Sequence, residues 1–290
     1  MSGFRIFTDS SCDLPKSFYE EYDVPYICLT YYLEGKSYPD NQSLPSHEFY
    51  DKIRNGATPT TSQPSPEVAE EFIRAELEKK PTDILFIAFS SGLSGTYNSV
   101  SLAINNIKED YPDNKFIVID SLAASAGEGL LVYKAIQYKN EGHTLEETAS
   151  YIEDLKNHLG HVFTVDDLNC LHRGGRVSKT VAIIGTLANI KPILHVDNEG
   201  HLTPLGNVRG RKKSILSLID AMEKQMGSYR DKNDCIFISN GDCMDDANFA
   251  ADTIRERFGI EDIRISDVGP VIGSHSGPGT LAIFFLADYK

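Results

Sequence analysis

The sequence predicts an α/β protein with two α/β domains, the first built on a mostly parallel sheet. Short apolar segments alternate with stretches of helical spacing, and this alternation is typical of parallel sheets covered by helices on both faces. With 290 residues, 41% hydrophobic and 24% charged, the chain has room for one large or two ordinary domains. We expect domains 1–158 and 159–290, because Gly142 and Gly160 flank the last helix of the first.

Four strands and four helices are predicted in the first half. The strand candidates are short apolar runs, at 4–7, 26–33, 83–89 and 115–119. Helical spacing lies between them, at 45–55, 66–80, 96–109 and 122–140. Pro15 and Pro66 stand where the first turn of a helix tolerates proline.

The second half repeats the pattern with five strand candidates. They are apolar runs, at 161–165, 191–196, 234–240, 262–268 and 281–287. Helices are expected at 178–188, 210–227 and 244–258.

Charge and cysteine content exclude several classes of protein. The formal net charge of −14 argues against a general nucleic-acid binder, which needs a basic surface. Five cysteines without C-x-x-C spacing fit neither a disulfide framework nor a zinc site, so reduced thiols are expected. The first residues show no apolar signal region and no apolar run approaches a membrane span. We therefore expect a soluble cytoplasmic protein without a bound cofactor or metal.

The segment 90–99, SSGLSGTYNS, directly follows an apolar strand and is rich in hydroxyl groups. Ser94 can present its hydroxyl to a ligand at this strand-to-helix turn, or Ser94 or Thr96 can simply cap the helix. A third interpretation is the G-x-S-x-G turn of a serine hydrolase, with Asp267 and His275 completing a triad. The second glycine, Gly95, comes one residue too early for that motif.

A second hydroxyl-rich segment, TPTTSQPS at 58–65, is expected to connect two helices. Thr61 and Ser62 can supply neutral donors facing Ser94, whereas Ser65 can merely cap the next helix. In the opening segment TDSSCDLP, Asp9 has no further carboxylate at metal-ligand spacing. Turn formation and helix capping are the simpler roles for its two aspartates.

Two glycine-punctuated basic clusters, 172–179 and 207–214, stand out in this acidic chain. Charge runs usually form solvated faces, but two in one domain indicate an anion or an acidic partner. No Walker A string occurs, so ATP is not expected to bind in that way. In 269–287, GPGTLA leads into a strand, which does not fit a dinucleotide fingerprint, and His275 lies in a glycine-rich loop.

Taken together and in order, these segments resemble the DegV family. The resemblance spans the chain through TDSSCDLP, TSQPS, SSGLSGTYNS, VIDS, L-x-RGGRVSK, KPIL, VRGRKK and GPVIGSHSGPGTLAIFF. It implies two α/β domains with one long-chain fatty acid, such as palmitate, buried in a pocket between them. It also implies a fatty-acid-binding subunit of fatty acid kinase, without turnover of its own. A separate ATP-binding subunit would phosphorylate the carboxylate to an acyl-phosphate for phospholipid synthesis.

The resemblance also implies roles for particular residues. The hydroxyls that bind the carboxylate correspond to Thr61 or Ser62 and to Ser94, and the histidine associated with activity is His275. Arginines for phosphotransfer or kinase docking correspond to Arg176 and Arg209, although either arginine of each cluster fits. Many relatives have lysine where this chain has Arg173.

Two further segments bear on how a lipid would be held and exchanged. Small residues at 121–129 either leave room for the acyl chain or let a helix pack closely. The apolar stretch 181–190, beside basic residues, is either a core helix or a lid that touches a membrane surface.

Overall fold

A computed structural model describes residues 3–178 and 189–290 and has the expected mixed α/β architecture. The elements of the first half are, in chain order, β1 (Phe4–Asp9), α1 (Lys16–Tyr22), β2 (Tyr26–Ile27), β3 (Thr30–Leu33), β4 (Lys36–Pro39), α2 (Ser46–Arg54), β5 (Thr60–Ser62), α3 (Pro66–Lys79), β6 (Asp83–Ala88), α4 (Thr96–Ile107), β7 (Phe116–Asp120), α5 (Ala126–Asn140) and α6 (Leu145–Leu155).

The described elements of the second half follow the same alternation. They are β8 (Leu159–Thr164), α7 (Leu168–Arg173), β9 (Ile190–Val196), β10 (Leu202–Arg209), α8 (Arg211–Met226), β11 (Cys235–Asn240), α9 (Met244–Phe258), β12 (Asp262–Asp267), α10 (Pro270–Ser276) and β13 (Leu281–Leu286).

Three sheets organise these elements. The first is four-stranded, in the order β2-β1-β6-β7, with every pair parallel, as predicted. The second is six-stranded, in the order β10-β9-β8-β13-β11-β12, and combines antiparallel pairs with one parallel pair, β11 with β12. Its strands all follow residue 158, but the domain boundary itself stays a prediction.

A small antiparallel sheet, β4-β3-β5, was not expected from the sequence. The predicted strand 26–33 is wrong as a single element, because β2 pairs with β1 whereas β3 belongs to this small sheet. The segment 58–65 is likewise more than a connection, since it contains β5. The small sheet thereby brings Thr61 into regular structure next to α10.

Helix α5 lies between the two large sheets, and its residues 126–136 are all buried. It contacts β1 and β6 on one side and β11 and β13 on the other. A Cβ atom at Gly127 would lie 2.5 Å from Nε2 of His161, so the small residues here permit close packing. The helix begins later than predicted because Leu122 and Ser125 have φ angles of 50° and 55°, which no α-helix accommodates.

Other differences concern the second half. The sequence did not predict β10, α7 or α10. The predicted helix 178–188, and residues 181–188 of the proposed lid 181–190, lie outside the described residues, whereas Ile190 begins β9. None of the helices within residues 3–178 and 189–290 is long and apolar enough to cross a membrane. All five cysteines are free thiols.

Candidate functional site

A cavity of about 300 Å³ lies between the two halves of the chain. This volume is at the lower end of the range for small-molecule sites. We term the polar end the group of lining residues Thr61, Ser62, Ser94, Arg176 and His275. The rest of the lining includes what we term the apolar wall, formed by Phe163, Leu171, Val196, Leu202, Ala282 and Phe284.

Thr61 and His275 meet at the polar end, although 214 residues separate them in sequence. Oγ1 of Thr61, in β5, lies 2.7 Å from Nε2 of His275, in the last turn of α10. Nδ1 of His275 is buried and has no hydrogen-bond partner among the described residues. A hydroxyl and an imidazole at this distance share a hydrogen bond whose direction depends on the tautomer.

His275 is electrically neutral at physiological pH. Burial lowers the pKa of its imidazole to about 4, and the nearby charge of Arg176 acts in the same direction. Desolvation disfavours the charged form of a histidine, and a cation beside it adds repulsion. The polar end therefore offers hydroxyl groups, an uncharged imidazole and a single guanidinium from the residues that form it.

Arg176 ties two loops together while it faces the cavity. Its Nη2 donates to the carbonyl of Leu93 at 3.0 Å, and its Nη1 donates to the carbonyl of Gly174. Desolvation lowers the pKa of the guanidinium from its ordinary value, which still leaves it charged at neutral pH. A Cβ at Gly174 would lie 2.1 Å from Nδ1 of His275, so any larger residue there would displace the ring.

Ser94 lies in the loop that leads into α4. Its Oγ shares a hydrogen bond of 2.8 Å with Oγ1 of Thr96 and accepts the Thr96 N–H at 3.3 Å. Gly95, rather than Ser94, is the N-cap residue. The capping interpretation is thus only partly met, since Ser94 receives a first-turn amide and also lines the cavity.

Gln63 is a residue of the site for which the sequence reasoning gave no role. Its Oε1 accepts the N–H of Gly95 at 2.7 Å, and its Nε2 donates to Oγ of Ser99 at 3.2 Å. A Cβ at Gly95 would lie 2.3 Å from Oε1 of Gln63. Gln63 therefore fixes the Ser94 loop against β5, and its place between Ser62 and Pro64 in TSQPS was the available signal.

Arg209 does not belong to the described lining of the cavity. It is the last residue of β10 and is exposed. Arg173, at the end of α7, is also exposed, and its Nη2 lies 3.3 Å from Sγ of Cys170. Of the two predicted arginines, the structure brings only Arg176 to the hydroxyls and His275.

The alternative interpretation as a serine hydrolase triad is wrong in its geometry. Nε2 of His275 bonds Thr61 rather than Ser94, whose hydroxyl bonds Thr96. Asp267 accepts a hydrogen bond from Nδ2 of Asn240 at 3.2 Å and is exposed, while Nδ1 of His275 has no partner in the described part of the chain. Neither of the two hydrogen bonds that such a triad requires is present among the described residues.

A group of possible metal ligands, His47, Asp51 and Asp242, lies away from this cavity. Nη1 of Arg54 already donates to the carboxylate of Asp242 and to Oδ1 of Asp51 at 3.1 Å. A guanidinium that neutralises these carboxylates competes with any metal ion. We therefore interpret the group as an ion-pair network that joins α2 to the loop after β11.

Three comparisons identify the family. The family model described as "Uncharacterised protein, DegV family" matches residues 3–288. A DegV domain-containing protein of Clostridium perfringens is 45% identical over 100% of this chain and 99% of its own length.

Two solved structures extend the comparison. A DegV family protein from Thermus thermophilus, described as fatty acid binding, is 31% identical, with a TM-score of 0.86 over 98% of this chain and 99% of that one. The fatty acid kinase B3 protein of Streptococcus pneumoniae, loaded with linoleic acid, is 25% identical, with a TM-score of 0.84 over 98% and 99% of the two chains. The chain described above therefore belongs to the DegV family.

Proposed function

We propose that this protein binds one long-chain fatty acid in its cavity and presents the carboxylate to a separate ATP-dependent kinase subunit. The kinase converts the carboxylate to an acyl-phosphate for phospholipid synthesis, and the present chain is a carrier without turnover of its own. The observation that carries the proposal is a cavity with an apolar wall and a polar end that unites Thr61, Ser94 and His275. The bound fatty acids of its structural relatives support it.

The apolar wall supplies the affinity in this proposal. Burial of a methylene is worth about 0.8 kcal/mol, so about 14 methylenes give roughly 11 kcal/mol before the costs of binding. The loss of free motion and the ordering of the acyl chain remove several kcal/mol of this. The result is a complex that is tight and can still release its lipid.

The polar end orients the carboxylate and keeps it reactive. Hydroxyl groups from Thr61, Ser62 and Ser94 donate to carboxylate oxygens without neutralising their charge, whereas a bidentate arginine clamp would lower nucleophilicity. Arg176 lines the same end, but two of its N–H groups are already used by the carbonyls of Leu93 and Gly174. Its role is to hold the loops and to offer positive charge to the incoming phosphoryl group.

The proposed docking surface for the kinase subunit lies outside the cavity lining. Arg209, Lys212 and Lys213 are exposed at the end of β10 and the start of α8, and this basic group is the proposed docking site for an acidic surface of the kinase. Membrane contact through 181–190 during lipid exchange stays a prediction from the sequence. Hydrogen exchange with and without anionic vesicles tests it, and unchanged protection of that stretch contradicts it.

Native mass spectrometry of the purified protein tests lipid binding. We expect a mass increment of one long-chain fatty acid per chain, released on denaturation. Addition of ATP and a fatty acid kinase subunit to the loaded protein should then form an acyl-phosphate, trapped with hydroxylamine. A protein that carries no lipid and takes up none contradicts the proposal, as does labelling of Ser94 by a fluorophosphonate.

A further inference from the structure

Helix α10 carries His275, but residues of the first half hold its beginning. Oδ1 of Asp13 accepts the main-chain N–H of Gly269 at 2.9 Å, and Oδ1 of Asp40 accepts that of Val271 at 3.0 Å. Asp13 is only 3% exposed and Asp40 is 0% exposed. Both contacts cross between the two halves of the chain, over 256 and 231 residues.

The other oxygen of each carboxylate is also bonded. Oδ2 of Asp13 accepts the hydroxyl of Ser125, which lines the cavity, and Oδ2 of Asp40 accepts the hydroxyl of Ser10 at 2.9 Å. Burial raises the pKa of both carboxyls, that of Asp40 to about 7. A buried carboxyl destabilises the fold unless it is well hydrogen-bonded. The hydrogen bonds of Asp13 and Asp40 therefore hold each side chain in one orientation.

We propose that Asp13 and Asp40 are positioning residues, which hold the first turn of α10 so that His275 reaches Thr61. The functional consequence rests on the proposed fatty-acid binding, because His275 belongs to the polar end of that cavity. Neither carboxylate contacts the polar end itself; each acts through the helix.

The dimensions of α10 make such support necessary. A helix of seven residues is too short to be stable alone or to fix its own direction. Its first main-chain N–H groups have no partner within the helix, and α10 has no side-chain cap from its own N-cap residue, Gly269. Carboxyl oxygens that accept these N–H groups replace the missing cap, and here they come from distant segments.

Packing at the same point leaves little freedom. A Cβ at Gly269 would lie 2.4 Å from Oδ1 of Asn41 and 2.6 Å from Oδ1 of Asp13. Asn41 is itself fixed, because its Nδ2 donates to the carbonyl of Ser10 at 2.9 Å. The two carboxylates and this close contact set the starting position of the helix.

The segment that contains Asp13 also contacts the strand end that leads into the Ser94 loop. Oδ2 of Asp9 accepts the N–H of Phe89 at 2.9 Å, immediately before the segment that carries Ser94. The segment from Asp9 to Asp13 thus has contacts to both main elements of the polar end.

The experiment follows the imidazole of His275 by NMR in protein labelled at histidine, without added lipid. In the wild type we expect it to stay neutral down to about pH 5, since its pKa is about 4. In Asp13→Ala and Asp40→Ala, loss of the contact frees α10, exposes the ring and moves the midpoint toward the ordinary value of 6.5. Retention of a long-chain fatty acid should fall about tenfold, which corresponds to about 1.4 kcal/mol of binding free energy.

Two controls separate positioning from general stability. Asp13→Asn and Asp40→Asn retain a carbonyl oxygen that can accept the main-chain N–H, so they should restore the titration and the retention. Glu128→Gln alters a fully buried carboxyl that bonds Thr8 and Ser11 rather than α10. It should lower the melting temperature and leave the His275 titration unchanged.

An unchanged His275 titration in folded Asp→Ala variants overturns the proposal, and so does an equal shift in Glu128→Gln. Should the alanine variants not fold, Gly269→Ala displaces α10 with both carboxylates intact and must shift the same midpoint. A wild type that holds no lipid would remove the proposed function, whereas the titration would still decide the positioning role.

Discussion

The polar end of the cavity and its apolar wall are built in different ways. The polar end gathers one or two residues from each of β5, the loop before α4, the loop after α7, and α10. Most of the apolar wall comes from β8, β9, β10 and β13, which are strands of one sheet. The polar end therefore depends on how several segments are positioned, whereas the wall depends on a framework that the sheet ladder already fixes.

This difference separates two contributions to binding. The wall removes an acyl chain from water, a term that scales with buried area and needs no particular geometry. The polar end contributes direction, and a displacement of a few tenths of an ångström in one segment changes its hydrogen bonds. Each region can therefore be disabled without the other.

The largest effect is expected when the wall is filled. Ala282 faces Phe163 across the pair β13–β8 and lines the cavity. In Ala282→Phe, the new ring occupies the space of about four methylenes, which costs about 3 kcal/mol and lowers fatty-acid affinity roughly 100-fold. Isothermal titration with a delipidated protein measures this change.

Ile283→Val provides the control on the same strand. Ile283 faces the opposite side of the sheet, where it packs with α8 and α9, so about 1 kcal/mol of stability is lost and affinity stays the same. Equal affinities in Ala282→Phe and the wild type would show that the acyl chain does not use this wall.

A smaller effect is expected when the polar end is displaced and the wall is left intact. In Gly174→Ala, the added methyl group would lie 2.1 Å from Nδ1 of His275, so the ring must move away from Thr61. We expect a loss of about 1–3 kcal/mol of stability from overpacking and slower acyl-phosphate formation. Lipid binding itself should largely persist.

Gly206→Ala is the matched control, since a Cβ there meets nothing within 4 Å. Wild-type phosphorylation kinetics in Gly174→Ala would contradict the role of His275 at the polar end. Loss of lipid binding in that variant would show that the two regions are not separable.

The same contrast decides what the sequence can predict. Thr61, Ser94 and His275 stand in segments rich in hydroxyl groups with few charges, and the segments of Ser94 and His275 are also rich in glycine. Their residue types and the family resemblance therefore identify them. The wall is different, because every residue of β13 is buried. Alternation along that strand cannot reveal whether Ala282 and Phe284 or their neighbours face the cavity.

The elements that the sequence missed have local physical reasons. Edge strand β10 contains Pro204 and Gly206 and has an irregular register between them, and both residue types argue against a strand. Helix α10 lies in a glycine-rich segment and is held at its start by Asp13 and Asp40. A helix whose stabilising partners are more than 200 residues away leaves no local signal.

The pH dependence of the free energy of unfolding tests the polar end separately, because His275 is its neutral imidazole. Its pKa is about 4 when folded, against an ordinary 6.5. Between these values the unfolded chain binds a proton that the folded chain does not, so this contribution to stability is lost as the pH falls from about 6.5 to about 4. The loss should be on the order of 2 kcal/mol, because the ring is partly exposed.

Urea unfolding of the wild type and His275→Gln at several pH values measures this contribution. The stability of the wild type relative to His275→Gln should fall as the pH falls through that window. Asp40 acts in the opposite direction, because its folded pKa of about 7 lies above the ordinary 3.8, and its contribution is lost as the pH rises toward 7. Parallel curves for wild type and His275→Gln would exclude the low folded pKa.

The smallest effect is expected from removal of one hydroxyl group at the polar end. Ser94→Ala deletes the partner of Thr96 Oγ1 and of the Thr96 N–H, and under the proposed function it also deletes one donor to the carboxylate. A single hydrogen bond of this kind is worth about 1–1.5 kcal/mol, which corresponds to roughly tenfold weaker retention or slower phosphorylation. Ser91→Ala alters an exposed serine of the same loop and should match the wild type in both measurements.

Since the wall is intact in both variants, Ser94→Ala should still carry lipid in native mass spectra. Full activity in Ser94→Ala would remove Ser94 from the polar end, and complete loss of lipid would mean that orientation and affinity are not divided between the two regions.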